Sequence, residues 1–307
     1  MQRYLDYLSS KATGDLLDYG LGDWITFDNS TPVGVTATFG YYRAASAMSD
    51  IARVLGKSDD AQRYTALAGK IGAAFNAKYR DGDTYASGSQ ASDALALDMG
   101  VVPAADRQAV LDHLVASITA KGDHLTVGEI ALPSVFRVLS AAGRDDVIYD
   151  IATQTGNPSY GYQVTHGATS LTENWDGPTS GNSQNHFMLG AIDEWFGSGL
   201  AGIGQADGSV AFEHLRIRPA VVGDLTHAAA SYDTPRGTVT SSWTRSGQSL
   251  RLDVTVPPGA PARVEVPLLG GTAQPQATPG AHWIGIQDGH GVFEVGSGHW
   301  TFTAQGA

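Results

Sequence analysis

The sequence predicts a chain of two domains of different class, helical up to about residue 204 and a β-sandwich over 205–307. Two periodicities carry this reading: apolar residues recur every three or four positions in the first part and alternate in the second. With 307 residues and a hydrophobic fraction of 42%, there is enough apolar surface for more than one core.

The helical part starts clearly at 41–55, where Tyr41, Ala44, Ala45, Met48, Ile51, Ala52 and Leu55 share one face and Gly56 ends the run. Asp59 is placed to cap the next helix, whose stripe is Ala61, Tyr64, Leu67, Ala68, Ile71, Phe75 and Tyr79. The pair predicts a helical hairpin with a short turn. Further helices are expected over 92–99, 104–120, 128–142, 145–155 and 184–196, with Pro133 in a first turn or at a kink. Tight turns alternating with long Gly-rich loops suggest concentric helical pairs rather than a simple bundle. The long loops, 19–32 and 157–183, gather aromatic and polar residues.

Beyond residue 205, strands are expected over 213–218, 238–245, 250–256, 263–268 and 292–303. Turn signals separate them: Thr234-Pro235-Arg236-Gly237, Pro257-Pro258-Gly259, Gly270-Gly271 and Asp288-Gly289. Short strands spaced in this way predict a sandwich.

Composition narrows the function. A net charge of −12, with 19 Lys and Arg scattered along the chain, argues against nucleic acid as partner. No cysteine is present, so disulfides, thiolate metal sites and cysteine nucleophiles are excluded. No apolar run has the length of a membrane span, and no export signal is visible at MQRYLDYLSS. The nine histidines lack ligand spacing, so neither a metal nor another cofactor is expected. A neutral substrate such as a sugar fits this balance.

Chemistry concentrates in two clusters. The denser is Gly167-Ala168-Thr169-Ser170-Leu171-Thr172-Glu173-Asn174-Trp175-Asp176-Gly177, followed by Ser183-Gln184-Asn185-His186. Indole faces cover the C–H face of a pyranose, while carboxylate, amide and imidazole groups take its hydroxyls. A carboxylate holding a water can act as general base in glycoside hydrolysis. The residues alone leave a second role open, with Glu173 bonded within a loop and Trp175 filling the core. The other cluster is Leu21-Gly22-Asp23-Trp24, with Asp28 nearby, where Gly22 suits a turn that would expose Asp23 and Trp24 but the residues by themselves favour Asp23 as a helix cap and Trp24 as core. Gly128-Glu129 and His124 read as structural or solvated rather than catalytic.

In this order, the clusters resemble the C-terminal part of glycoside hydrolase family 78, the bacterial α-L-rhamnosidases. The resemblance runs through Gly20-Leu21-Gly22-Asp23-Trp24, Thr31-Pro32, the helical pair, and Asn157-Pro158-Ser159-Tyr160-Gly161-Tyr162. It continues through the 167–177 segment, Ser183-Gln184-Asn185-His186-Phe187, Glu194-Trp195, Leu200-Ala201-Gly202-Ile203, Ile217-Arg218-Pro219 and Pro235-Arg236-Gly237. It implies a partial (α/α)6 helical barrel followed by an antiparallel β-sandwich, and an enzyme that removes terminal α-L-rhamnose with inversion. It implies Glu173 as general base, with Trp24 and His186 on the sugar and Asp23, Trp175 and Asn185 as further substrate-binding neighbours.

Two departures qualify that expectation. The stretch from Glu173 to His186 is shorter than in many relatives, which implies a reshaped outer pocket with the base retained. The family's general acid lies in an Asp-x-x-x-x-Glu-Arg motif ahead of Gly-Asp-Trp, and the residues before Gly22 do not hold it. About seven or eight helices are expected where a complete barrel needs about twelve, which would leave apolar faces open to self-association. The expected partner is a rhamnose-containing glycoside, and the expected activity of these residues alone is low. Two other readings are a non-catalytic carbohydrate-binding remnant and a structural helical domain with an interaction sandwich.

Overall fold

A helical hairpin organises the first part of the chain. Helix α1 (Gln2–Lys11) precedes α2 (Val33–Val54) and α3 (Ser58–Tyr79). Leu5 of α1 is buried with Tyr41, Ala45 and Met48 of α2 and with Tyr64, Ala68 and Ile71 of α3, so the apolar stripes read from the sequence do meet. Gly56 adopts φ +67 and the Lys57 amide bonds back to the Ala52 carbonyl at 2.8 Å, which ends α2 where the glycine predicts. Asp59 is not the cap of α3. The N-cap is Lys57, with no side-chain bond, and Asp59 lies in the first turn, where its charge suits the helix dipole.

The computed structural model describes residues 1–307, which divide into two compact units, Met1–Ala191 and Ile192–Ala307. In the first, a small hairpin of β1 (Arg80–Asp81) and β2 (Thr84–Tyr85) leads to α4 (Gln90–Asp98). This helix starts two residues ahead of the expected position because the Ser89 hydroxyl accepts the Ser92 amide. Every residue of α4 through Leu97 is buried, its alanines and leucines by packing and Gln90 and Asp93 by hydrogen bonds, and it packs against α2, α5 (Arg107–Ala120) and α6 (Leu132–Ala141). Pro133 lies in the first turn of α6, where its missing N–H costs little. Helix α7 (Asp145–Thr153) follows.

The long loop expected over 157–183 contains two short helices, α8 (Tyr160–Thr165) and α9 (Gly177–Ser180). The helix expected over 184–196 starts later, as a 3-10 turn over Met188–Gly190 that passes into α10 (Ala191–Trp195). Local competition explains the delay. The Gln184 side-chain amide donates to the carbonyls of Gly177, Gly181 and Asn182, which ties this residue to the preceding turn, and the His186 backbone amide donates to the Leu171 carbonyl at 2.8 Å, which withdraws it from a helical ladder.

The second unit is a two-sheet sandwich. One sheet has the order β10 (His282–Gln287), β11 (His290–Val295), β8 (Ala262–Pro267), β4 (Leu215–Ile217), β3 (Ile203–Gln205). The other has β5 (His227–Thr234), β6 (Gly237–Ser246), β7 (Ser249–Val256), β12 (Gly298–Gln305), β9 (Gln276–Ala277). All pairs are antiparallel except β4 with β8, where Leu215 faces Ala262 in parallel register. Trp243, Leu252, Val264, Phe293 and Phe302 fill the core between the inward faces. The single strand expected over 292–303 is two strands, β11 and β12, that pair in different sheets. Strands β5 and β10 escaped the periodicity reading. The first is an Ala-rich edge strand, and the second is an edge interrupted by an irregularity between Trp283 and Gly285. No helix is long and apolar enough to cross a membrane.

Candidate active site

The loop carrying Asp23 and Trp24 is clamped to the segment that enters α6. The Asp23 carboxylate accepts the amides of Gly128 at 2.7 Å, Ala131 at 3.0 Å and Ile130 at 3.1 Å. It thereby satisfies N–H groups of the turn that leads into α6, across 105 residues of sequence to Gly128. Burial pushes its carboxyl above the usual range despite these three bonds. A Cβ on Gly128 would lie 2.2 Å from the Trp24 carbonyl oxygen, so only glycine permits the approach. The Glu129 amide donates to that same carbonyl at 2.8 Å. Further along, the Thr126 carbonyl takes the Thr26 hydroxyl at 2.7 Å and the Phe27 amide at 3.1 Å. Between these ties Ile25 is held at φ +57, a conformation that is costly for a β-branched residue. The Trp24 side chain emerges 45% exposed.

Glu173 sits on a second framework. The buried Gln163 side chain accepts the Thr172 amide at 3.2 Å and donates to the Asn174 carbonyl at 3.4 Å, bracketing Glu173. The Glu173 amide donates to the Ser183 carbonyl at 3.0 Å, and the Ser183 amide reaches a carboxylate oxygen of Glu173 at 3.4 Å. Gly177 lies so close that a Cβ would stand 2.3 Å from the Thr172 hydroxyl. Trp175 is 2% exposed, with its ring edge-on to Tyr160 at 4.8 Å between centroids. Tyr160 in turn donates to the Leu189 carbonyl at 2.7 Å.

The two frameworks meet at Glu129. Its buried Oε1 lies 3.1 Å from Nδ1 of His186, although the two atoms are not aligned as a hydrogen bond and neither has another partner. Burial raises the Glu129 carboxyl above its ordinary range. His186 opposes that shift, while the charges of Glu173 and Asp23 reinforce it. The His186 ring also lies nearly parallel to the exposed ring of Phe187, 5.6 Å away and tilted by 23°.

Of the six residues singled out in the sequence, Trp24 meets Glu129 through its backbone carbonyl and His186 meets it through its ring, while Glu173 acts on Glu129 through its charge. Asn185 is exposed beside them, its carbonyl accepting the Ser183 hydroxyl at 3.2 Å. Asp23 and Trp175 are enclosed by protein, Asp23 as a clamp on backbone amides and Trp175 as a packing residue, so neither offers a free surface to a sugar. Glu129 was passed over in the sequence as structural or solvated. Its only signal was adjacency to Gly128, and glycine-acid pairs are too common to single out. His124, passed over with it, holds the Pro158 carbonyl at 2.8 Å.

The family model described as the bacterial alpha-L-rhamnosidase 6 hairpin glycosidase domain matches residues 1–200. The chain belongs to this family. The model for the family's C-terminal domain matches residues 202–279, within the sandwich. An alpha-L-rhamnosidase of Streptomyces avermitilis is 35% identical over 98% of this chain, which spans 30% of that protein. A crystal structure of the Streptomyces avermitilis enzyme complexed with L-rhamnose superposes with a TM-score of 0.92, at 34% identity and 99% coverage of this chain. The chain covers 30% of that structure. An alpha-L-rhamnosidase structure from Dictyoglumus thermophilum gives a TM-score of 0.90 at 31% identity, covering 99% of this chain and 36% of its own. The partial helical barrel and sandwich are therefore the C-terminal portion of a rhamnosidase architecture.

Proposed function

We propose that this chain supplies the water-activating half of an inverting α-L-rhamnosidase site, with Glu173 as general base. The observation that carries the proposal is the meeting of three chain segments at Glu129. Its amide is bonded to the Trp24 carbonyl, its carboxylate touches His186, and it lies within the electrostatic reach of Glu173. Trp24 and Phe187 then offer exposed aromatic surface to a sugar ring, and His186 an imidazole to its hydroxyls. The Streptomyces relative, solved with L-rhamnose, supports terminal rhamnose as the sugar.

In this reading Glu173 removes a proton from a water held against the face of the anomeric carbon opposite the leaving oxygen. The new C–O bond forms as the glycosidic bond breaks, and the configuration inverts. A second carboxyl group, roughly 6.5–9.5 Å from that of Glu173, must protonate the departing oxygen. That acid is proposed to belong to another part of the rhamnosidase architecture, since the residues before Gly22 do not carry the Asp-x-x-x-x-Glu-Arg motif and the chain spans 30% of its Streptomyces relative. Asp23 and Trp175 hold the two frameworks in place from behind.

Calorimetry with L-rhamnose and an assay with an aryl α-L-rhamnoside test the proposal together. The chain is expected to bind rhamnose and to release little or none from the aryl glycoside. Joined to the acid-bearing part of a relative it should hydrolyse the glycoside, and Glu173→Gln should abolish that turnover with binding retained. Turnover that survives Glu173→Gln would refute the base assignment.

A further inference from the structure

Glu129 is a buried carboxylate whose Oε1 has no hydrogen-bond partner, and the imidazole of His186 lies 3.1 Å from it at Nδ1. Nδ1 of His186 is itself without a partner. A buried carboxylate oxygen and a buried ring nitrogen left unpaired at this distance each carry a desolvation cost that a small ring rotation would remove. Contacts of this kind in a ligand-free site often stay misaligned and tighten once the ligand is seated.

Both sides are otherwise held. The Glu129 backbone is fixed by its bond to the Trp24 carbonyl and by the Asp23 clamp on its neighbours Gly128 and Ile130. The His186 backbone is fixed to the Leu171 carbonyl at 2.8 Å, and its ring lies against Phe187. The remaining freedom is rotation of the imidazole. An acceptor at Nδ1 removes that freedom and also selects the tautomer, because a ring nitrogen that donates to a carboxylate must carry the proton.

We infer that Glu129 is a positioning residue for His186, its carboxylate taking the Nδ1–H so that Nε2 is presented to the sugar as an acceptor. The inference rests on the rhamnose-site reading above. Glu129 does not touch the sugar in this arrangement. It acts by fixing which nitrogen faces the sugar, and in which state.

Long-range proton–nitrogen NMR spectra of the labelled chain read the tautomer directly, with or without sugar. The wild type should show His186 in the Nδ1–H form. Glu129→Gln, whose amide oxygen can still accept, should keep that form, and Glu129→Ala should lose it. In calorimetry, Glu129→Ala should weaken L-rhamnose binding by about tenfold, and Glu129→Ala with His186→Ala should be no weaker than His186→Ala alone. Thermal melting of each variant separates this loss from unfolding. An Nε2–H tautomer in the wild type, or a spectrum unchanged in Glu129→Ala, would overturn the assignment. Rhamnose binding with strictly additive losses would overturn it while leaving the sugar site standing. No rhamnose binding by the wild type at all would overturn the site reading and the role with it.

Discussion

The carboxylate of Asp23 and the amide of Gly128 lie 2.7 Å apart across 105 residues of chain, and that bond joins the loop bearing Trp24 to the turn bearing Glu129. Removing the carboxylate strands three amides in the turn that leads into α6. Asp23→Ala should therefore destabilise the first unit by about 1–3 kcal/mol for each donor that water does not reach. Asp23→Asn, which keeps one acceptor oxygen, should lose less. Urea unfolding midpoints at a common slope check the ordering.

The two tryptophans of the site should separate binding from stability. Trp24→Ala removes a half-exposed side chain and should change stability by no more than about 0.5 kcal/mol while weakening rhamnose binding. Trp175→Ala opens a cavity beside Tyr160 and should cost about 3–5 kcal/mol. Melting and calorimetry on the same two variants would contradict this division if Trp24→Ala proved the less stable protein.

Asp93 predicts a pH dependence. Burial pushes its carboxyl up to about 6, against the opposing pull of His113 at 2.7 Å and the Tyr85 amide at 2.8 Å. Because the folded value exceeds the ordinary 3.8, the folded state binds the proton more tightly. Its contribution is fully present below the unfolded value and is lost as pH rises through about 6. Relative to Asp93→Asn, the wild type should lose on the order of 2 kcal/mol between pH 4 and 7. Differential melting of the two proteins across that range reads it.

The sandwich carries the opposite sign. Glu265 is buried, which alone would raise its carboxyl, but bonds from Arg216 and Arg263 at 2.9 Å bring it below the ordinary range. Its contribution is present above the unfolded value and fades as pH falls through the lowered one. Glu265→Ala leaves those arginines facing one another, with Arg218 nearby. The cost should lie between the ~1 kcal/mol of an exposed pair and the ~3–5 kcal/mol of a buried one, since the arginines are partly solvated. Chemical unfolding that tracks the sandwich alone tests it.

Periodicity was sufficient for α2 and α3, which bury continuous apolar stripes, and the glycines that follow α2 and α6, Gly56 and Gly143, adopt positive φ where the helices stop. It was also sufficient for β6, β7 and β8, central strands whose alternate residues enter the core. It failed at β5 and β10, where edge strands bury little, and across 292–303, where a change of sheet leaves no mark in the pattern. The start of α10 was misplaced because side-chain bonds from Gln184 compete with the helix, and such bonds have no period.

At the candidate site, residue type and local company drew attention to Glu173 but left it open to a loop role and Trp24 to a core role; the roles proposed for Glu173, Trp24 and His186 came from the family resemblance. Membership of the rhamnosidase family was likewise written in those short motifs. That Asp23 serves backbone amides depended on contacts over 100 residues apart in sequence, and the burial of Trp175 on its packing with Tyr160. The same holds for Glu129, 57 residues from His186 in the chain yet 3.1 Å from it in space. Burial and electrostatic environment are properties of what surrounds a group, and for these residues the surroundings come from segments that only folding brings together.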